Sequence, residues 1–303
     1  MNAREVIEAA GFRGEVRYNE PMSKHTSLCI GGPAEAMAWP ENSEEVSKLR
    51  AAAHKNGAPV FVLGKGTNLL VLDGGIQGLV INIAKLDWLK KEDAVTVRAG
   101  AGTPLPRLAN FSADEGLSGL EFAAGIPGTV GGAVFMNAGA YGYEIKDVLH
   151  KIRVVMEDGK VSEVGHEEMD RGYRHGGLPE GSAVTEAWFK LTLGDAEAIK
   201  ARASDYIAKR KASQPLSARS AGSCFKNPPG QKAWKLIEAA GLKGTRVGGA
   251  QVSDKHSNFL INAEGATAKD FRALMELVKK TVKEKMDVEL EPEVRIVGVE
   301  KNG

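Results

Sequence analysis

Gly64-Lys65-Gly66-Thr67-Asn68-Leu69, set directly behind the apolar run Pro59-Val60-Phe61-Val62-Leu63, and Gly125-Ile126-Pro127-Gly128-Thr129-Val130-Gly131-Gly132 decide how this chain is read. The first lacks the third glycine of a dinucleotide fingerprint and the Lys-Ser/Thr ending of a P-loop, and the second fails both patterns. Either stretch is satisfied by a tight turn at a strand end, where glycine supplies a positive φ. Either also forms a nest of backbone N–H groups able to hold a pyrophosphate. Two such loops in one chain, with Asn68, Thr129 and Asn137 as neutral hydrogen-bond partners, point to a large dinucleotide held outside a Rossmann frame.

Outward from these loops the pattern is strand-rich with interspersed helices, an α+β chain rather than a doubly wound parallel sheet. Glycine supplies 36 of 303 residues, against a usual share near ~7%, and the clusters stand where apolar runs end. Before Pro59 the spacing predicts a short helix, a loop and a second helix, with Ser43 as N-cap of Glu44–His54 and Gly57 as its stop. Strands are expected at Pro59–Leu63, Gly78–Ile83, Ala94–Arg98, Lys151–Met156, Lys160–Val164, Ala183–Leu193 and Asn258–Asn262. Pro104–Glu115 reads as a helix with Leu105, Leu108 and Phe111 inward, and Gly116–Gly142 as glycine-rich loop. Asp195 caps a basic helix to Lys211, Trp234–Ala240 is a helix stopped by Gly241, and Thr267-Ala268-Lys269-Asp270 opens a long amphipathic helix through Lys285. Val288–Val299 closes the chain as an extended segment.

Lys plus Arg is 40 and Asp plus Glu is 39, a formal charge of +1. Such a balance gives no bulk attraction for nucleic acid or an anionic membrane, so a bound anion needs a local constellation. No apolar run approaches the ~18 residues of a membrane span, and the N-terminal residues lack an uninterrupted apolar core, so a cytoplasmic protein is expected. Cys29 and Cys224 make no C-x-x-C, and His25, His54, His150, His166, His175 and His256 show no H-E-x-x-H. No metal is expected.

Three polar residues stand in settings that suit chemistry. Ser223 lies in Ala221-Gly222-Ser223-Cys224-Phe225-Lys226-Asn227-Pro228, which lacks the second glycine of a nucleophile elbow. A serine that donates a proton rather than attacks is a separate role. Arg174 ends Arg171-Gly172-Tyr173-Arg174, and Glu293 lies in Leu290-Glu291-Pro292-Glu293-Val294-Arg295, whose extended form turns Glu291 and Glu293 to one side. Taken singly, each also reads as a surface ion pair. Lys209-Arg210-Lys211 reads as a solvated helix end or as a lure for a phosphorylated ligand.

These motifs occur in one order, together with Met136-Asn137-Ala138-Gly139 and Gln214-Pro215, and from about His25 to Val299 the chain closely resembles the UDP-N-acetylenolpyruvoylglucosamine reductase (MurB) family. The spacing between Arg174 and Ser223 is closer to its shorter, type II members. The resemblance implies a three-domain flavoenzyme of peptidoglycan precursor synthesis, with an FAD-binding domain of the PCMH, vanillyl-alcohol-oxidase-like kind. It implies noncovalent FAD, NADPH as hydride source and UDP-N-acetylglucosamine enolpyruvate as substrate, with no nucleic acid, membrane or obligate protein partner. The implied division is 1–82 plus 287–303 as the first lobe of the FAD domain, 83–195 as its second lobe, and 213–286 as the substrate-binding domain.

The resemblance further implies that FAD is held by Gly64, Lys65, Gly66, Thr67, Asn68 and Leu69, by Gly125, Ile126, Pro127, Gly128, Thr129, Gly131 and Gly132, and by Asn137, Ala138 and Gly139. His25-Thr26 and Gly31-Gly32 are expected to help enclose it. Arg174, Ser223 and Glu293 are expected to be catalytic, and Tyr173, Lys226 and Asn227 to bind substrate, with His256 and Asn258 lining the nicotinamide or substrate side. Hydride delivered to the terminal carbon of an enolpyruvyl group leaves enolate-like charge, which Arg174 and Glu293 would stabilise while Ser223 protonates the adjacent carbon. Cys224 is expected to pack in the core.

Two departures from the family pattern are visible: Arg171 where an aromatic commonly precedes Gly-Tyr-Arg, and His175-Gly176-Gly177 in place of a serine-containing continuation. Both bear on local loop packing rather than on the arginine. Two rival readings are another flavin-dependent oxidase with covalently attached flavin, and a non-catalytic nucleotide-binding module.

Overall fold

The computed structural model describes residues 2–301. They form two compact units, both built from discontinuous chain. Unit 1 takes the residues up to Tyr18, Ala36–Lys65 and Gly78–Arg210. Unit 2 takes Asn19–Glu35, Gly66–Gln77 and the chain from Lys211 on. These cuts fall at other places than the three-part division by role, since 287–303 and 19–35 belong to one unit while 36–65 belongs to the other.

Unit 1 holds α1 (Ala3–Ala9), α2 (Ser43–Lys55), α3 (Leu105–Asp114), α4 (Val130–Phe135) and most of α5 (Ala196–Ser213). A four-stranded sheet runs in the order Glu15–Pro21, Pro33–Trp39, Ile76–Asn82, Val60–Leu63, the last two parallel in the register Val60–Leu79. A five-stranded antiparallel sheet runs Val161–Gly165, Leu149–Val155, Ala183–Lys190, Thr96–Gly100, Leu89–Lys91. Its central strand is buried from Ala183 to Phe189 and carries Glu186, which accepts from Arg98 and Arg153. Trp188 on that strand lies under the Arg98 guanidinium at 4.6 Å and the Lys151 ammonium at 4.5 Å. This face of the sheet is therefore covered by paired charge stacked over an aromatic ring.

The local corrections have simple causes. Asn42, not Ser43, caps α2, accepting from the Glu45 N–H at 3.0 Å, because its backbone is extended while Ser43 already has helical geometry. The expected loop before that helix contains two strands, Glu15–Pro21 and Pro33–Trp39. The stretch read as loop from Gly116 to Gly142 contains α4, a short helix whose two glycines hide it from propensity. The α3 core face is Leu105, Leu108, Ala109, Ser112 and Ala113, with Phe111 only partly buried. Asn258 precedes its strand, which begins at Leu260, and only Arg295–Val297 of the C-terminal extended segment is strand.

Unit 2 packs α6 (Ala233–Ala239) and α7 (Ala268–Met286) on a small antiparallel sheet of Arg246–Val247, Ala250–Val252 and Leu260–Asn262. Arg295–Val297 pairs in parallel with Leu69–Val71. Along α7, Phe271, Leu274, Met275, Val278 and Val282 recur at helical spacing and are buried. Its start is a reciprocal capping box: Thr267 Oγ1 accepts from the Asp270 N–H at 3.1 Å, and Asp270 accepts from the Thr267 N–H at 3.0 Å. Asp73 takes two further first-turn donors, the Ala268 and Lys269 N–H groups. Thr267→Ala is expected to cost about 1 kcal/mol, read as a lowered urea midpoint by far-UV circular dichroism. The Asp270 carboxylate is held below its ordinary range chiefly by the Thr267 backbone N–H. A depressed folded-state pKa stabilises fully above the unfolded value and is lost as pH falls through the folded one, so this cap weakens only in acid.

Among the described residues no helix is long and apolar enough to cross a membrane, and no group of three His, Cys, Asp or Glu side chains could hold a metal ion.

Candidate active site

In unit 1 the strand Val60–Leu63 delivers the chain to Gly64, and the first glycine loop meets the second there. A Cβ on Gly64 would lie 2.5 Å from Thr129 Oγ1, so only glycine lets the two loops touch. The second loop is pinned by the Leu105 N–H to the Gly128 carbonyl at 3.0 Å, and Gly131 is seated where a Cβ would strike the Ala101 Cβ at 2.9 Å. The first N–H groups of α4 are taken within the protein: Val130 donates to Thr103, Gly131 to Ala101 and Gly132 to Thr129 Oγ1. The start of α4 is thus an anchored support for the loop before it.

Arg174 is carried by a two-residue hairpin turn. The Gly172 N–H donates to the His175 carbonyl at 2.9 Å and the His175 N–H to the Gly172 carbonyl at 3.0 Å, which leaves Tyr173 and Arg174 at the tip. Arg174 has φ +57°, a left-handed conformation that costs a non-glycine residue of order 1 kcal/mol. Asn137 fixes the base of the turn: it is 1% exposed, and its amide donates to the Gly172 carbonyl at 2.9 Å and accepts from the Lys146 N–H at 2.9 Å. Both places where the sequence departs from the family pattern pack against this turn's surroundings. A Cβ on Gly176 would lie 2.3 Å from the Val134 carbonyl oxygen, so that position admits no side chain against α4. Arg171 donates to the His166 carbonyl at 2.6 Å and clamps the loop from below.

Arg210 is not a solvated helix end: its Nε is buried without a hydrogen-bond partner. Burial pushes its pKa down first, Tyr141 raises it, and the nearby charge of Arg174 lowers it again. A Cβ on Gly125 would sit 3.2 Å from Arg210 Cδ, which puts the second glycine loop against this side chain. Two guanidinium groups that repel one another, with an orphaned buried donor between loop and helix, fit an anionic group such as a dinucleotide phosphate or a carboxylate. The weak amphipathic pattern of α5 carries no signal for this, because the helix buries only Ile199 and Ala203.

In unit 2 the segments that carry Ser223 and Glu293 run side by side in a short antiparallel pairing, with Cys224 opposite Glu293. Phe225 faces Pro292, the Glu293 N–H donates to the Cys224 carbonyl at 2.8 Å, and the Lys226 N–H donates to the Glu291 carbonyl at 2.8 Å. Pro292 occupies the one position of this pair whose N–H is not needed, which explains a proline inside the motif. Ser223 is half-buried, preceded by Gly222 at φ +78°. Cys224 is buried, as expected of a core residue, and its thiol is pushed up by burial first and by the charge of Glu293 second. A thiol held protonated in this way is no nucleophile.

The remaining candidates have clear places. Lys226 pairs with Glu291 at 3.2 Å and is half-buried, while Asn227 is exposed and its side chain accepts from the Ala233 N–H at 3.1 Å at the start of α6. Asn68 donates to the Glu293 carbonyl at 3.1 Å, tying the first glycine loop to the Glu293 segment within unit 2. Gly66 lies under the His25 carbonyl, where a Cβ would come within 2.0 Å, and His25 contacts Glu20 at 3.0 Å. His256 is packed against Phe259, and burial lowers its pKa.

Two family models match the chain. The description "UDP-N-acetylenolpyruvoylglucosamine reductase, C-terminal domain" matches residues 214–297, and "FAD binding domain" matches residues 34–165. A UDP-N-acetylenolpyruvoylglucosamine reductase of Clostridium novyi (strain NT) is 49% identical over 295 residues, 97% of this chain and 96% of its own length. The crystal structure of UDP-N-acetylenolpyruvylglucosamine reductase (MurB) from Thermus caldophilus is 41% identical, with a TM-score of 0.80 over 94% of this chain and 98% of that one. A 4-ethylphenol oxidase from Gulosibacter chungangensis, 16% identical with a TM-score of 0.50 over 63% of this chain and 42% of that one, shares the fold alone.

Proposed function

Since the chain belongs to the UDP-N-acetylenolpyruvoylglucosamine reductase (MurB) family, we propose that Arg174, Ser223 and Glu293 carry its reduction of UDP-N-acetylglucosamine enolpyruvate. The chain is an FAD-dependent oxidoreductase of peptidoglycan precursor synthesis that uses NADPH and forms UDP-N-acetylmuramate. The observation that supports the residue assignment is the paired backbone of 224–226 and 291–293, which sets the segment that follows Ser223 beside the segment that carries Glu293 within one unit.

Bound FAD supplies the hydride that no side chain can. The protein's own part is electrostatic and protonic. Arg174, presented at a hairpin tip, holds the substrate carboxylate and the negative charge that grows beside it, and Glu293 in its protonated form shares that task. Ser223 gives its proton to the adjacent carbon, a transfer a weak acid can make only to a strongly basic centre. Tyr173, Lys226 and Asn227 bind the UDP-sugar.

The two glycine loops, Gly64–Leu69 and Gly125–Gly132, with Asn137, Ala138 and Gly139, hold FAD noncovalently, and Arg210 faces an anionic part of the bound ligands. By role, 1–82 with 287–303 and 83–195 serve FAD, and 213–286 serves the substrate. The compartment we assign is the cytoplasm, where NADPH and the nucleotide sugar are made.

The test is an anaerobic visible spectrum. A flavin band is expected that bleaches with NADPH and returns when UDP-N-acetylglucosamine enolpyruvate is added, and denaturation is expected to release all of the flavin. Colourless protein that takes up no FAD, or a band that NADPH bleaches and the enolpyruvyl sugar leaves bleached, would overturn the reading.

A further inference from the structure

We propose that Asn258 is a positioning residue for the proton transfer, an internal clamp that gives the Ser223 segment its single orientation; the proposal rests on the reading of Ser223 as proton donor. Asn258 is 4% exposed, so its amide is offered to the chain rather than to a ligand. The Phe225 N–H donates to Asn258 Oδ1 at 3.0 Å and Asn258 Nδ2 donates to the Phe225 carbonyl at 2.8 Å. The Asn258 main-chain carbonyl accepts from the Cys224 N–H at 2.7 Å. On the other side the Cys224 carbonyl accepts from the Glu293 N–H at 2.8 Å.

Every main-chain donor and acceptor of Cys224 and Phe225 is therefore paired, one side by the Glu293 segment and the other by Asn258. A side-chain amide offers an N–H and a carbonyl oxygen on one edge, as an extended strand residue offers its own N–H and C=O to a neighbour, so Asn258 takes the place of a third strand beside Phe225. Ser223 enters this clamp directly from Gly222 at φ +78°, a flexible residue that would let the hydroxyl swing if the next two residues were not held. Buried groups left unpaired by losing the amide would drive the segment to shift.

The experiment uses the FAD-loaded enzyme, reduced with NADPH and mixed with the enolpyruvyl UDP-sugar in D2O. Asn258→Ala removes both side-chain bonds, whereas Asn258→Asp keeps the size and the bond from the Phe225 N–H. Both are expected to slow flavin reoxidation by ~10²-fold, the scale of a small misplacement of a reacting group, with flavin reduction by NADPH within about two-fold of the parent. Deuterium at the protonated carbon is expected in both configurations, because solvent replaces a misplaced serine. A loss of fold alone would lower the active fraction and both half-reactions together, and would leave the product in one configuration.

Ser223→Ala is run beside them. If it leaves rate and configuration unchanged, the proton-donor reading falls and the clamp falls with it. If it slows reoxidation while both Asn258 variants give product of one configuration at the parental rate, the clamp alone is overturned.

Discussion

Ser223→Ala is expected to slow reoxidation of the reduced enzyme by the enolpyruvyl sugar by ~10²-fold or more, with reduction of the flavin by NADPH unchanged. The asymmetry is the content of the prediction. A hydroxyl that donates one proton to carbon matters in the half-reaction that makes product and is idle when NADPH delivers its hydride. Removing the oxygen also leaves the main-chain pairing of Cys224, Phe225 and Lys226 in place, so the folded structure should survive. Stopped-flow absorbance separates the two half-reactions, and equal losses in both would sink the role given to Ser223.

Arg174→Ala is expected to lower turnover by ~10²–10³-fold, the range found when one preorganised donor to developing negative charge is removed. The hairpin should persist, because its hydrogen bonds run between Gly172 and His175 and its base is held by Asn137. Alanine carries the same Cβ as arginine, so the strain at φ +57° is unchanged and the melting temperature should barely move. Arg174→Gly offers the complementary result: relief of that strain, of order 1 kcal/mol, with the same loss of turnover. A variant that is more stable and nearly inactive would show that the conformation is held for the chemistry. Turnover close to the parent's in Arg174→Ala would remove the arginine from the mechanism.

Much of the molecule could be read in advance, and the exceptions share causes. The long helices α2 and α7 were legible because each carries a capping residue and a regular apolar face. Ser43 misled for a local reason, since Asn42 and Ser43 are both cap formers and only the backbone angles tell which one stands outside the helix. α4 was illegible because Gly131 and Gly132 are poor helix formers whose place is set by packing against Ala101 and Thr129. Asn258 was legible as a special residue but not in its task, because an asparagine that lines a ligand site and one that clamps a backbone look the same in a string of letters.

Composition and motif order alone determined the α+β class, the absence of bulk charge for nucleic acid and the family, and singled out Arg174, Ser223 and Glu293 as candidates. Those properties live in residue types and short spacings, which a chain carries before it folds. Tertiary structure decided which groups share a neighbourhood. It set Gly64 against Thr129, placed the orphaned Nε of Arg210 near Arg174, put Glu293 beside Cys224, and closed the Ser223 segment between Glu293 and Asn258. Hydrogen bonds and charges act over a few ångströms, whereas these partners lie tens of residues apart along the chain. Only the fold converts that separation into contact.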